Sequence, residues 1–268
     1  MITSLHSPHV EVVKALLGSR GGKERSARSL FVIEGASHIR AAINSDASSI
    51  ESLYLTEEGR TRISDVDLTK INVIDVSSQV MAAMTDTVTP QGVLALAKIP
   101  QRNWEQWLTS QQTKVKIAYF WQLQDPGNAG TVIRAADAFG FDAVFFSDNS
   151  VDVYSPKVVR SSVGSHWHIP IFQEVEWNTL SKSLDSRKIS AMALTAAASQ
   201  EEIATIAQRS KSASTLWIFG NEARGLPDLI VNSPSITKVR IPMFGQAESL
   251  NLATAASVVM YEVAQADK

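Results

Sequence analysis

Cysteine is absent from this chain of 268 residues. Its absence excludes disulfide bonds, thiolate nucleophiles, cysteine-ligated zinc and iron–sulfur clusters. Long hydrophobic runs are also missing, since no apolar stretch approaches the roughly 20 residues that a membrane-spanning helix needs. The first six residues, MITSLH, lack the charged start and the apolar core of a secretory signal. We therefore expect a soluble, cytoplasmic protein with no membrane attachment.

An excess of charge of one sign is missing too. Twenty-five lysines and arginines face 27 aspartates and glutamates, which gives a formal net charge of −2. This balance argues against a general polyanion binder, but it allows a local basic site. Hydrophobic residues make up 44% of the chain, which is enough for a core and too many for a disordered protein.

Segments typical of strands and helices alternate along nearly the whole chain, which predicts an α/β fold. The polar segment 101–114, which contains Trp104 and Trp107, interrupts this pattern. We place a domain boundary there, with one domain at residues 1–108 and a second at residues 109–268. Capping patterns predict that helices begin at Ser77, at Ser199 and at Ser249.

One segment near the N-terminus is locally basic. Between residues 14 and 28 a single acidic residue, Glu24, accompanies five basic residues: Lys14, Arg20, Lys23, Arg25 and Arg28. Three glycines in the same stretch predict a flexible loop. Such a loop suits the phosphates of a nucleic-acid backbone, and a solvated surface loop is the alternative interpretation.

Three loops of the second domain contain residues that catalysis commonly uses. The first, DPGNAGTVIR at 125–134, is a glycine-rich turn before a helix, whose free N–H groups suit an anion or a polar ligand. It reads Gly-x-x-Gly, not the Gly-x-Gly-x-x-Gly of dinucleotide sites. Asn128 could serve as a helix cap, but Arg134 lies in an otherwise apolar helix, where an unpartnered guanidinium is costly.

The second loop, FGNEARGLP at 219–227, follows an apolar strand, and ligands gather at the carboxyl ends of strands in open α/β sheets. A plain turn with Glu222 and Arg224 in solvent is the alternative. The third loop, IPMFGQAESLN at 241–251, leads into a last helix rich in alanine and valine.

Together the three loops resemble the three motifs of the SpoU class of the SPOUT RNA methyltransferases, in the same order. The resemblance covers residues 115–265. Residues 1–100 resemble the L30e-like RNA-binding domain that often precedes this class, through the string LFVIEG at 30–35 and the basic segment before it.

The resemblance implies a trefoil-knotted α/β domain with a mostly parallel sheet. It also implies transfer of a methyl group from S-adenosylmethionine to a ribose 2′-hydroxyl of RNA. The implied cofactor-binding residues are Leu194, Thr195, Ala196, Phe219, Gly220, Asn221, Ile241, Met243 and Leu250. The implied catalytic residues are Arg134, Asn128, Glu222, Ser249 and Asn251, and the implied RNA-binding residues are Arg20, Lys23, Arg25 and Arg28.

Arg134 corresponds to the family's catalytic arginine, which is often described as a base. A free guanidinium keeps its proton far above neutral pH, and holding it neutral at pH 7 would cost about 8 kcal/mol. We therefore favour a role in which Arg134 holds the neighbouring phosphate and stabilises developing negative charge. The sequence alone leaves both roles open.

The same resemblance favours 23S ribosomal RNA as the substrate, with transfer RNA as the alternative within the class. A nicotinamide-dependent oxidoreductase and an RNA-binding protein without activity are the rivals from other classes. We expect no metal site, since His166 and His168 lack a third ligand nearby. We expect a homodimer through the C-terminal domain, because the last helix offers more apolar surface than one solvent-facing helix needs.

Overall fold

A computed structural model describes residues 1–195 and 201–268 of the chain. These residues divide into two compact units. The first comprises Met1–Gln101 and Asp152–His168, and the second comprises Arg102–Val151 and Ile169–Lys268. The boundary predicted between residues 108 and 109 falls inside a helix, Trp104–Ser110, which belongs to the second unit. A segment from the middle of the predicted second domain, 152–168, is part of the first unit.

The first unit is built on a mixed sheet. Its helices are α1 (Pro8–Leu17), α2 (Gly21–Arg28), α3 (Ala36–Asp46), α4 (Glu57–Arg62) and α5 (Ser78–Met84). Its strands are β1 (Leu30–Glu34), β2 (Ile50–Leu55), β3 (Val73–Asp75) and β4 (Val93–Lys98), in the order β1-β4-β2-β3. Apolar residues of α1 and α5, among them Val13, Leu16 and Met84, pack against this sheet. Ser77 caps α5 as predicted, by accepting a hydrogen bond from the Val80 N–H.

The basic segment differs from its prediction. The expected flexible loop is wrong, because residues 21–28 form α2. Only glycine fits at position 21, since a Cβ on Gly21 would lie 2.4 Å from the Leu16 carbonyl oxygen. Arg25 is only 6% exposed, and its guanidinium donates to Asp152 Oδ2 at 2.8 and 2.7 Å and to the Leu16 carbonyl. Arg25 therefore ties α1, α2 and the segment 152–168 together and is not free to contact RNA.

The second unit is built on a parallel sheet. Its helices in chain order are α6 (Trp104–Ser110), α7 (Pro126–Ala138), α9 (Trp177–Arg187), α10 (Ile203–Ser210), α11 (Asp228–Val231) and α12 (Leu252–Ala266), while α8 (Pro156–Ser162) belongs to the first unit. Its strands are β5 (Lys116–Phe120), β6 (Ala143–Phe146), β7 (Ile171–Phe172), β8 (Ser190–Leu194), β9 (Glu201–Glu202), β10 (Thr215–Phe219) and β11 (Ile236–Arg240).

Within the described residues these strands run in the order β7-β6-β5-β10-β8-β11-β9, and every pairing is parallel. The expected α/β fold with a mostly parallel sheet is confirmed. Strands β5, β10, β8 and β11 are neighbours, so the chain segments that follow them leave the sheet along one edge. Buried rings stiffen this edge, because Phe120 stacks on Phe219 with centroids 4.9 Å apart and on Phe146 at 5.6 Å.

Two predicted helix starts are wrong. Glu202, not Ser199, is the N-cap of α10, and Ser199 lies outside the described residues. Asn251, not Ser249, is the N-cap of α12, and its side-chain oxygen accepts from the N–H groups of Ala253 and Thr254 at 2.9 and 3.3 Å. Asn and Ser are nearly equal as N-caps, so composition alone could not choose between residues two positions apart.

Candidate active site

The loop after β5 opens α7 and forms the centre of the site. Asp125 is the N-cap, and its Oδ1 accepts from the Asn128 N–H at 2.7 Å. The Thr131 hydroxyl donates to the Gly127 carbonyl at 2.8 Å, inside the first turn and a half. The glycine-rich string is thus the beginning of a capped helix, with Asn128 held in its first turn.

Glu222, from the loop after β10, connects that loop to the start of α7. Its carboxylate accepts from the N–H groups of Gln124 and Asp125 at 3.4 and 3.3 Å, and from Asn128 Nδ2 at 3.2 Å. One carboxylate therefore contacts three donors of the neighbouring loop. Its negative charge lies where free N–H groups and the helix dipole favour an anion.

The third loop joins the same cluster through Asn251. While its oxygen caps α12, its Nδ2 donates to Asn128 Oδ1 at 3.2 Å. Asn128 therefore donates to Glu222 and accepts from Asn251, which fixes the orientation of its amide. The structure thus brings together three predicted catalytic residues from three separate loops: Asn128, Glu222 and Asn251.

The loop after β10 is a tight turn whose shape depends on Asn221. This residue is 7% exposed, its Oδ1 accepts from the N–H groups of Ala223 and Arg224 at 3.0 and 3.1 Å, and Nδ2 donates to the Gln122 carbonyl at 2.7 Å. A Cβ on Gly220 would lie 2.5 Å from the Gly225 carbonyl carbon, so only glycine fits there. Three of the four hydrogen-bonding positions of the Asn221 amide are thus used in shaping the turn.

Two predicted catalytic residues, Arg134 and Ser249, are exposed and have no hydrogen bond to the cluster. Arg134 lies six residues after Asn128, or about 9 Å along the helix. Side chains of a helix lean toward its N-terminus, which directs this guanidinium back toward the loop end of α7. Among the described residues, no carboxylate forms an ion pair with Arg134.

The predicted cofactor residues follow the four neighbouring strands. Leu194 ends β8, and the Thr195 N–H donates to the Val239 carbonyl at 3.0 Å. Phe219 is buried in the ring stack, so only its main chain can meet a ligand. Ile241 is half-buried, whereas Met243 and Leu250 are exposed apolar side chains. Ala196 lies outside the described residues.

Sequence reasoning missed Gln122 and Gln124. Gln122 adopts a left-handed conformation with φ +47°, its N–H donates to Ser147 Oγ at 2.8 Å, and its Oε1 accepts from Arg224 Nη2 at 3.0 Å. Gln124 reaches the Asn149 carbonyl on the far side of the loop. No sequence signal marks either residue, and glutamine is an uncommon choice for the left-handed conformation of Gln122.

The histidine pair does not form a metal site. His166 is buried in the first unit, with Nδ1 2.7 Å from the Ser162 hydroxyl and Nε2 2.8 Å from the Val153 carbonyl. Both ring nitrogens are therefore occupied. Across the described part of the chain, no group of three or more histidine, aspartate or glutamate side chains could hold a metal ion. No helix of that part could cross a membrane either.

Comparison with known proteins identifies the family to which the chain belongs. Residues 116–261 match the SpoU rRNA methylase family, and residues 8–95 match the MRM3-like substrate binding domain. The chain belongs to the SpoU rRNA methylase family. The predicted resemblance of the three loops is thereby confirmed.

Relatives within the SpoU family extend over nearly the whole chain. The 23S rRNA (guanosine(2553)-2′-O)-methyltransferase RlmP of Bacillus subtilis is 34% identical over 90% of this chain and 91% of the relative. An uncharacterized tRNA/rRNA methyltransferase of Synechocystis is 29% identical over 97% of this chain and 92% of the relative. The crystal structure of an AdoMet-bound rRNA methyltransferase from Sinorhizobium meliloti has a TM-score of 0.84 at 26% identity, and the match covers 98% of this chain and 97% of that one.

Proposed function

We propose that this protein transfers the methyl group of S-adenosylmethionine to a ribose 2′-hydroxyl of 23S ribosomal RNA. The observation that carries the proposal is the hydrogen-bonded link from Glu222 through Asn128 to Asn251, which joins three loops at one edge of the sheet. The B. subtilis relative is named as a 23S rRNA 2′-O-methyltransferase and the S. meliloti structure as AdoMet-bound.

The chain offers groups that suit the adenosine of the cofactor. Main-chain groups at the ends of β8 and β10 and the apolar side chains of Met243 and Leu250 suit an adenosine, which has few charges to satisfy. We assign Leu194, Thr195, Ala196, Phe219, Gly220, Asn221, Ile241, Met243 and Leu250 to this binding. The bound sulfonium supplies an activated methyl group and its own leaving group.

The protein must then position the ribose and handle the hydroxyl proton. We assign Arg134 to the neighbouring phosphate and to stabilisation of the negative charge that develops on the ribose oxygen, with Ser249 as a further contact to phosphate or cofactor. Asn128 and Asn251 orient the substrate, and Glu222 holds Asn128 in place. Arg20, Lys23 and Arg28, which are exposed on or beside α2, are assigned to RNA phosphates.

The deciding experiment maps 2′-O-methyl groups in total RNA from cells with and without the gene. Loss of one methyl group from 23S rRNA is the expected result. Loss from a transfer RNA would select the alternative substrate, and no change in any RNA would contradict the enzyme function. Calorimetry should show binding of S-adenosylhomocysteine, and binding of NAD alone would favour the oxidoreductase.

A homodimer is part of this proposal. The Tyr261 side chain on α12 is exposed and packs edge-on against Phe139, with ring centroids 5.8 Å apart, so α12 and the end of α7 share an apolar surface. We infer that a second copy covers it. Light scattering at micromolar concentration should give twice the monomer mass, and a fully active monomer would contradict the inference. We further propose the trefoil knot for the second unit and a cytoplasmic location.

A further inference from the structure

Among the residues that the structure describes, the guanidinium of Arg224 contacts a neutral side chain and lacks an acidic partner. Arg224 is exposed in the turn after β10, and its Nη2 donates to Gln122 Oε1 at 3.0 Å, a neutral acceptor. The carboxylate two residues away, on Glu222, is directed to the donors of the neighbouring loop. Within the described ranges, 1–195 and 201–268, no acidic side chain forms an ion pair with Arg224.

The position of Arg224 is fixed from two sides. Its main-chain N–H is bound by the buried Asn221 amide, and its side chain is held by Gln122. Gln122 is itself fixed, because its N–H donates to Ser147 Oγ at 2.8 Å and its carbonyl accepts from Asn221 at 2.7 Å. These contacts hold Gln122 in a left-handed conformation that non-glycine residues seldom adopt. The main chain and the side chain of Arg224 are therefore both held in place.

The chemistry of this group selects its ligand. A guanidinium has five N–H donors in a planar fork that matches a phosphate, and here one donor position is bound to a neutral amide. The same turn carries Glu222, which contacts Asn128 at the centre of the site. In an RNA strand, every ribose has a phosphate on each side. One cation, Arg134, can therefore serve only one of the two phosphates that flank the target ribose.

We propose that Arg224 contacts a backbone phosphate next to the ribose that is methylated, and that Gln122 is its positioning residue. This inference rests on the proposed function. It adds a second phosphate contact to the site, on the loop after β10. It also gives the left-handed Gln122 a role, which is to hold the Arg224 side chain.

The test uses single-turnover methyl transfer to ribosomal RNA purified from cells that lack the gene, measured over a range of salt concentrations. Arg224→Ala should raise the RNA concentration at half-saturation about 10- to 100-fold, the range for a lost hydrogen-bonded charge. It should also reduce the salt dependence by about one counterion. Affinity for S-adenosylhomocysteine should not change. Arg224→Lys should keep the salt dependence and recover only part of the affinity.

A matched control and a positioning variant accompany it. Arg209→Ala removes another exposed arginine of the same unit, whose partner is Glu201 at 2.7 Å, and it should leave the RNA concentration at half-saturation unchanged. Gln122→Asn keeps a residue that tolerates the left-handed backbone but shortens the side chain that holds Arg224. It should raise the RNA concentration at half-saturation less than Arg224→Ala does. In a protein that already carries Arg224→Ala, it should cause no further increase.

The outcomes separate this inference from the proposed function. An inactive wild-type protein on every ribosomal RNA would contradict the function. An active wild type with an Arg224→Ala variant of equal RNA affinity and salt dependence would overturn the phosphate contact. A variant that loses affinity for S-adenosylhomocysteine while RNA binding is intact would overturn it as well, by assigning Arg224 to the cofactor carboxylate.

Discussion

At the scale of the single residue, the proposed chemistry depends most on Arg134, whose side chain is exposed. It has no carboxylate partner among the described residues, so its charge is available to the substrate. We expect Arg134→Ala to lower single-turnover methyl transfer by about 10²- to 10³-fold, the effect of removing one electrostatic contact from a transition state. S-adenosylhomocysteine affinity should fall little, since the assigned cofactor residues lie elsewhere. A nearly normal rate would remove Arg134 from the mechanism.

Arg134→Lys separates the two possible roles of this side chain. A lysine ammonium loses its proton far more easily than a guanidinium. If the residue acts as a base, the lysine variant should keep part of its activity and gain rate as pH rises. If the residue clamps a phosphate with its planar fork, the variant should stay slow at every pH, because an ammonium cannot reproduce two parallel hydrogen bonds. The measurement is the single-turnover rate at pH values between about 6 and about 9.

The buried ring of His166 should make the stability of the protein depend on pH. Burial lowers the pKa of His166 to about 4, and the nearby His38 acts in the same direction, while the Val153 carbonyl and Asp152 oppose it. The folded-state pKa is thus below the unfolded value of about 6.5. The unfolded chain therefore binds more protons, and the stability from the neutral ring, complete above about pH 6.5, is lost as pH falls toward 4. The loss should reach about 3 kcal/mol.

Urea unfolding at several pH values between these limits measures the effect, with His166→Gln as the reference. Glutamine offers a donor and an acceptor for the Val153 carbonyl and the Ser162 hydroxyl, but it does not titrate. The difference in unfolding free energy between the two proteins should shrink as the solution becomes more acidic. A constant difference would mean that His166 titrates normally in the folded protein.

At the scale of the helix or strand, local sequence signals worked where one residue dominated. Ser77 caps α5 as the sequence predicts, and Gly140, with φ +65°, follows the C-terminal end of α7. The signals failed where two residues competed or where a distant partner decided. Three glycines near residue 20 favoured a loop, yet a helix forms there, and its Arg25 is held by Asp152, 127 positions away. No pattern within a short segment contains that partner.

Asn251 gives the prediction at this scale, because one side chain caps α12 and also contacts Asn128. Asn251→Ala should destabilise the protein by about 1 kcal/mol, the usual loss of an N-cap, and should slow methyl transfer. Asn251→Asp should keep the cap and the stability, but a carboxylate cannot donate to Asn128 Oδ1, so the rate should still fall. Urea unfolding and single-turnover assays measure the two effects. Equal rates for Asn251→Asp and the wild type would show that the contact with Asn128 has no role.

Ser249→Ala is the matched control for the cap. Ser249 is exposed and lies two residues before the N-cap, so its removal should leave the free energy of unfolding unchanged. A loss of stability in this variant comparable to that of Asn251→Ala would mean that α12 begins earlier than the structure shows.

At the scale of the whole molecule, the motifs predicted which loops matter, and the sheet order explains why. Parallel strands β5, β10, β8 and β11 are neighbours, so loops nearly 100 positions apart in sequence, such as those with Asn128 and Glu222, leave the same edge. The sequence could not show which side chains in those loops contact each other. The support by Gln122 and the membership of residues 152–168 in the first unit depend on contacts between distant segments.

A protein with a net charge of −2 needs local basic residues to attract RNA. Arg20, Lys23 and Arg28 are exposed at α2, so replacing all three by alanine should weaken RNA binding and lower its salt dependence by about two to three counterions. S-adenosylhomocysteine affinity and stability should be unchanged.

Arg25→Ala is the contrasting variant, because this arginine binds Asp152 and the Leu16 carbonyl. It should destabilise the protein by about 2 kcal/mol, less than a fully buried pair would lose, since the Asp152 side chain is one-third exposed. Filter binding at several salt concentrations, together with urea unfolding, distinguishes the two variants. A triple variant with an unaltered salt dependence would assign the basic residues of α2 to the solvated surface and would place the attraction for RNA elsewhere on the molecule.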